Sequence, residues 1–118
     1  MEFSTNKAIY LQIAELLMDE ILCGALAEGE RIPSVRDYAA RVEVNVNTVV
    51  RSFDHLAQRE IIYQRRGLGF FVSEGAAKTI LTLRRDEFFQ TELPRIFQTM
   101  DKLNITLDEI IALHEKRK

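Results

Sequence analysis

Between Ser34 and Leu56 the chain carries two short one-sided hydrophobic stretches so close together that they can only form a pair of adjoining helices. Val35, Tyr38, Ala39 and Val42 recur at i, i+3, i+4 and i+7, one face of a helix about two turns long. Ser34, with Asp37 three residues on, opens this helix with a close relative of the capping box. After a tight connection at Glu43 to Val46, Val49, Phe53 and Leu56 recur at i, i+4 and i+7 as the buried edge of another helix. That helix is expected to start near Asn47, a residue type that itself caps helices. Arg36 and Arg41 on the earlier helix are left facing water or a partner, as are Asn47, Thr48, Arg51, Ser52 and His55 on the later one. Two such helices joined by a few residues, the second with a polar hydrogen-bonding face, form a helix-turn-helix.

The flanking patterns complete a small domain. Ile9, Ile13, Leu16, Leu17 and Ile21 predict a helix from about Ala8 to Leu22, with Gly24 placed to end it. Glu28-Gly29 and Ile32-Pro33 are loop signals. The period then changes. Ile61–Gln64 and Phe70–Ser73 are β-branched and aromatic runs around Arg65-Arg66-Gly67-Leu68-Gly69, which predicts a hairpin. A hairpin directly after a helix-turn-helix is a wing. From Ala76 the chain reads as helical again, with Phe89, Leu93, Ile96, Phe97, Met100 and Leu103 in one stripe and Pro94 expected to kink or break it. Asn104 marks a turn, and Thr106 to Glu109 caps a last helix bearing Ile110, Ile111 and Leu113.

Composition excludes several classes of function. With 118 residues, 47% hydrophobic and 29% charged, the chain can bury one core with a short appendage. No apolar run is long enough to cross a bilayer, and the first residues do not read as a secretory signal, so a cytoplasmic protein without membrane contact is expected. The single cysteine, Cys23, allows no internal disulfide and is expected to be a small core residue. His55 and His114 have no neighbouring ligand motif, so no metal and no cofactor are expected. Acid pairs such as Asp108-Glu109 read as caps, and no nucleophile stands beside a base; the chain is not expected to be an enzyme. The net charge is −2, but residues 31–66 hold seven Arg and no Lys against four acids. Positive charge concentrated as arginine suits planar recognition of phosphate or guanine, and equally a solvated face.

Four stretches, in order, resemble the GntR family of bacterial transcription regulators over roughly residues 7–73. They are Tyr10-Leu11-Gln12-Ile13, then Gly29-Glu30-Arg31-Ile32-Pro33-Ser34-Val35-Arg36, then Val44-Asn45-Val46-Asn47-Thr48-Val49, and last Arg65 to Val72. The resemblance implies a winged helix-turn-helix that binds double-stranded DNA as a homodimer on a two-fold operator. The short stretch after the wing looks like the YtrA-like short-tail subfamily, with its two-helix dimerisation tail. Matching positions imply DNA contact by Ser34, Arg36, Asn45, Asn47, Thr48, Arg51, Arg65, Arg66 and Gly67. Val46 and Val50 stand where many members carry arginine, so neither can donate to guanine, although Val50 could touch a thymine methyl.

The expected architecture is therefore α+β and mostly helical. A winged helix-turn-helix occupies residues 1–75 and a helical dimerisation tail residues 76–118. Phe89, Leu93, Ile96, Phe97 and Met100 are expected to form the dimer seam, because the tail offers too little surface of its own to cover them. The expected function is sequence-specific transcriptional repression, with the effector, if any, unspecified. The competing reading is a winged-helix module that binds another protein instead of DNA.

Overall fold

The first helix, α1 (Ile9–Leu22), turns Ile13, Ala14, Leu17 and Ile21 inward and leaves Ile9 45% exposed at its open end. The structure, a computed structural model, describes Phe3 and residues 6–118. The chain stays helical to Leu22 and then leaves through Gly24, whose φ of +85° is cheap only for glycine. Cys23 is exposed, against expectation, with its thiol on the Glu20 carbonyl at 3.4 Å. It lies one turn beyond Asp19 and Glu20 and so continues the polar side of the helix.

Helix α2 (Val35–Val42) begins as the sequence predicts, with the Ser34 hydroxyl accepting from the Asp37 N–H at 3.1 Å. Its end is made by Glu43 in the left-handed region, at φ 58°. Helix α3 (Val46–Gln58) starts one residue before Asn47, and its cap is Asn45, whose side chain accepts from the Asn47 N–H at 2.8 Å. Strands β1 (Ile62–Arg65) and β2 (Gly69–Val72) form the antiparallel wing, with Ile62 opposite Val72 and Arg65 opposite Gly69. Arg31 adds an isolated bridge to Phe71 on the free side of β2. The sequence reads that stretch as a loop, because one bridging residue leaves no alternation to detect.

Ile13, Leu17, Tyr38, Val49, Phe53, Leu56, Ile62, Val72 and Ile80 are at most 1% exposed and join all these elements in one core. Ile80 belongs to α4 (Ala76–Glu87), so the start of that helix is part of the same core. The first of two compact units ends at Leu81 and the second is Thr82–Lys118. In the second unit the helix does not break at Pro94. A π-helical turn at Phe88–Glu92 absorbs the missing N–H, and α5 (Leu93–Leu103) continues with the proline in its first turn. Asn104, at φ 56°, ends α5. Helix α6 (Leu107–Glu115) carries the full capping box between Thr106 and Glu109.

Arg41 is exposed, as expected, but its head is also engaged within the fold. It ion-pairs with Glu20 of α1 and lies over the Tyr38 ring, 4.6 Å from its centroid. Burial raises the Glu20 carboxyl pKa in spite of the arginine. Tyr38 is pushed up to about 12, by burial first and by the Glu20 charge second. The buried Tyr38 hydroxyl makes no well-formed hydrogen bond: the Arg41 head comes near enough to lower its pKa slightly but lies over the ring instead of in line with the oxygen. An unsatisfied buried hydroxyl costs about 1–3 kcal/mol, so Tyr38→Phe is expected to stabilise the fold by about 1 kcal/mol in urea unfolding. A clear loss of stability would mean that the hydroxyl is bonded in solution.

Candidate nucleic-acid interface

Helix α3 presents two different polar sides. Asn47, Val50, Arg51 and Asp54, at i, i+3, i+4 and i+7, are all exposed, and Val46 joins them at 38% exposure. Ser52 is fully buried instead, and its hydroxyl donates to the Tyr10 carbonyl at 2.7 Å, with the Thr48 carbonyl at 3.0 Å. This corrects the expectation that Ser52 faces outward. It lies one turn after Val49 on the buried edge, and its small side chain lets α1 approach α3 closely. His55 is half-buried, its ring edge-on to Tyr10 at 5.9 Å. The polar stretch read from the sequence thus divides into an outward row and a seam against α1.

Arg51 sits between the two. Its guanidinium lies over the Tyr10 ring at 4.1 Å, a cation–π contact that fixes a long side chain while leaving its edge open. Tyr10, Asn47, Thr48 and Arg51 line one groove with Ala8 and Ile9, about 330 Å³ in volume. Tyr10 stands in the first of the four family-like stretches, but nothing in the sequence gives it a role. Asn45 and Ser34 each use a side-chain oxygen to cap a helix, and each keeps its own donor protons. Arg36 is exposed on the first turn of α2.

The wing carries the remaining cations. Arg65, Arg66 and Gly67 are exposed at its tip, with Gly67 at φ +76° making the turn. Arg65 leans over Phe71 at 5.4 Å. Ser34 lines a second groove, of about 490 Å³, with Arg31, Asp37 and neighbouring residues. Among the described residues, no cluster of side chains could hold a metal ion and no helix is long and apolar enough to cross a membrane. What the surface offers is arginine, amide and hydroxyl donors on a helix and a hairpin, the groups that contact phosphates and base edges.

The family described as "Bacterial regulatory proteins, gntR family" matches residues 9–72, from the start of α1 to the end of the wing. The chain belongs to the GntR family. It is a transcriptional regulator with a DNA-binding helix-turn-helix, not an enzyme. It is similar over nearly its full length to the HTH-type transcriptional repressor YtrA of Bacillus subtilis, at 36% identity, covering 92% of this chain and 88% of YtrA. It is 32% identical to the HTH-type regulator YhcF of the same organism, covering 93% of this chain and 89% of YhcF. The crystal structure of a GntR-family regulator from Bacteroides thetaiotaomicron superposes with a TM-score of 0.81 at 44% identity, covering 92% of this chain and 95% of that one. In both protein relatives and in this crystal structure the match extends past the GntR domain into the C-terminal helices.

His55 carries a consequence for pH. Its pKa is lowered from 6.5, by burial first and then by the positive charges of Arg59 and Lys7. A depressed histidine contributes stability that is present above pH 6.5 and lost as pH falls through the folded value. Urea unfolding of the wild type should therefore weaken below that pH more than unfolding of His55→Phe, which keeps the ring contact and cannot be protonated. Parallel pH profiles for the two proteins would show that the histidine is not the cause.

Proposed function

We propose that this GntR-family regulator is a repressor that binds a two-fold operator as a homodimer in the cytoplasm. In this reading residues 1–75 bind DNA and residues 76–118 form the dimerisation tail, whose start, to Leu81, packs into the core of the DNA-binding unit. Helix α3 enters the major groove with Asn47, Thr48 and Arg51, while Asn45 holds its start. Arg36 and Ser34 meet the backbone where α2 crosses it, and Arg65, Arg66 and Gly67 bring the wing to a neighbouring phosphate or groove. Val46 and Val50 present methyl groups on the same row, which suits contact with thymine and not with guanine.

The observation that carries the dimer is the exposure of the second unit. No residue from Thr82 to Lys118 is buried, and Phe89, Ile96, Phe97 and Leu103 are 53%, 43%, 48% and 63% exposed. An apolar stripe of that size is covered by a partner in a water-soluble protein. A second copy supplies an identical stripe under two-fold symmetry, and holds two α3 helices at half-site spacing. Leu93 and Met100, both half-buried, lie on the same stripe.

A genomic selection with the purified protein tests the DNA reading. If each subunit neutralises about three phosphates, log affinity should fall against log salt with a slope of about −5. Failure to enrich any duplex would favour the protein-interaction alternative. Arg36→Ala and Arg51→Ala should each weaken operator binding by about 1–3 kcal/mol if a base contact is lost, with folding intact. Wild-type affinity in both would displace the reading face from α3. The dimer is tested by Leu93→Glu with Phe97→Glu. Two carboxylates in an apolar seam cost several kcal/mol, so light scattering should show a monomer whose operator affinity falls sharply. A double variant that stays dimeric would move the interface off this stripe.

A further inference from the structure

The wing sheet has an outer face distinct from its tip. Ile62 and Val72 are buried, and Phe70 packs edge-on against Phe53 at 5.1 Å, so the pairs Ile62–Val72 and Gln64–Phe70 belong to the inward side. The alternate pairs, Tyr63–Phe71 and Arg65–Gly69, therefore belong to the outward side, and Arg31 joins them through its bridge to Phe71. Tyr63 and Phe71 stack with their centroids 5.7 Å apart and their planes at 23°. This two-ring plate has Arg65 over one ring.

Arg31 reaches the same place from the other edge. A Cβ on Gly69 would meet Arg31 Nε at 3.3 Å and Nη2 at 3.5 Å, so the arginine head lies where any side chain at 69 would stand. Gly69 is also the cross-strand partner of Arg65. The Arg31 head thus stands against Gly69, and the Arg65 head lies over the ring of Phe71, the residue Arg31 bridges. Among the described residues neither is in an ion pair. Other arginines are engaged within the fold: Arg41 with Glu20, and Arg59 with the His55 carbonyl at 2.9 Å. Two cations on one face of the wing without a carboxylate partner attract an anion. Planar heads with paired donors match the two free oxygens of a phosphodiester.

We propose, resting on the DNA-binding reading above, that this outer face binds backbone phosphate through Arg31 and Arg65, so that the wing meets DNA with its face as well as its tip. Arg31 is then a DNA contact, and Gly69 is required for the room it leaves to Arg31 as well as for its φ of +101°. The Phe71 ring holds the Arg65 head against the sheet.

The test is fluorescence anisotropy of the full chain with a mixed-sequence DNA duplex several helical turns long, titrated across salt concentrations. Arg31→Ala and Arg31→Gln should each lower the steepness of the log affinity against log salt plot by about 0.9 per subunit on the duplex. Arg31→Lys should keep the slope while losing some affinity, because the charge remains and the paired donors do not. Arg59→Ala should leave the slope unchanged. Circular dichroism checks that each variant is folded, as expected for an exposed side chain. Salt dependence in Arg31→Ala and Arg31→Gln equal to that of the wild type overturns the proposal and leaves the DNA-binding reading standing. A wild type without salt-dependent duplex binding overturns both.

Discussion

Phe53 fixes the relation between the helix pair and the wing, and the rest of the DNA-facing unit follows from it. Its ring is fully buried, edge-on to Phe70 of β2 at 5.1 Å and tilted against Tyr38 of α2 at 6.1 Å. Full burial of such a ring contributes about 1.5–3 kcal/mol, and each aromatic pair adds about 0.5–1.5 kcal/mol. That sum exceeds what any exposed arginine contributes to folding. The cationic side chains can therefore be arranged for a partner without the fold depending on them. Because one ring touches both α2 and β2, a change in α3 that shifted Phe53 would move the wing relative to the exposed row of α3 as well.

The second close contact is between α1 and α3. Ser52 is small enough to let the α1 backbone reach it, and the bond to the Tyr10 carbonyl satisfies the buried Ser52 hydroxyl without adding bulk. The consequence appears at the neighbouring position of α3, where the Tyr10 ring receives the Arg51 head. A buried serine thus sets the position of an aromatic side chain, and that side chain limits the conformations of an arginine on the exposed edge. An arginine already ordered loses less entropy on binding than one free in solvent.

These two contacts also mark where the sequence is legible and where it is not. Helices α1, α2 and α3 announce themselves through Ile13, Leu17, Tyr38, Val49, Phe53 and Leu56, because buried apolar residues repeat at the helical period. The caps at Ser34 and Thr106 are readable from the side chain and the acid three residues on. Ser52 is not, since a hydroxyl on a helix edge carries no sign of whether a neighbouring backbone approaches it. Cys23 misleads because its residue type favours burial while its place on the polar side of α1 favours exposure. The cap at Asn45 and the outward row at Asn47 exchange roles with a shift of two residues, and asparagine suits both. Arg31 is invisible as part of the wing, as its strand is one bridge long. Pro94 correctly signals a disturbance, but proline fixes only where an N–H is missing, not whether the helix stops or widens to a π-turn.

The tail follows a different logic from the winged unit. Within the chain, Thr82–Lys118 buries no residue; α5 continues α4 through the π-turn, whereas α6 stands apart and is 9 residues long. Isolated helices shorter than about 12–15 residues are marginal in water, even with good caps. The capping box at Thr106 and the left-handed Asn104 define where these helices begin and end, but local caps add only about a kcal/mol each. Burial of the apolar stripe can stabilise the tail by more than the caps do, and in the proposed dimer that burial comes only with association. Ordering of the tail and pairing of the two subunits then become one equilibrium, dependent on protein concentration. DNA that holds two winged units at half-site spacing raises the local concentration of two tails, so operator binding and tail ordering reinforce each other by linkage.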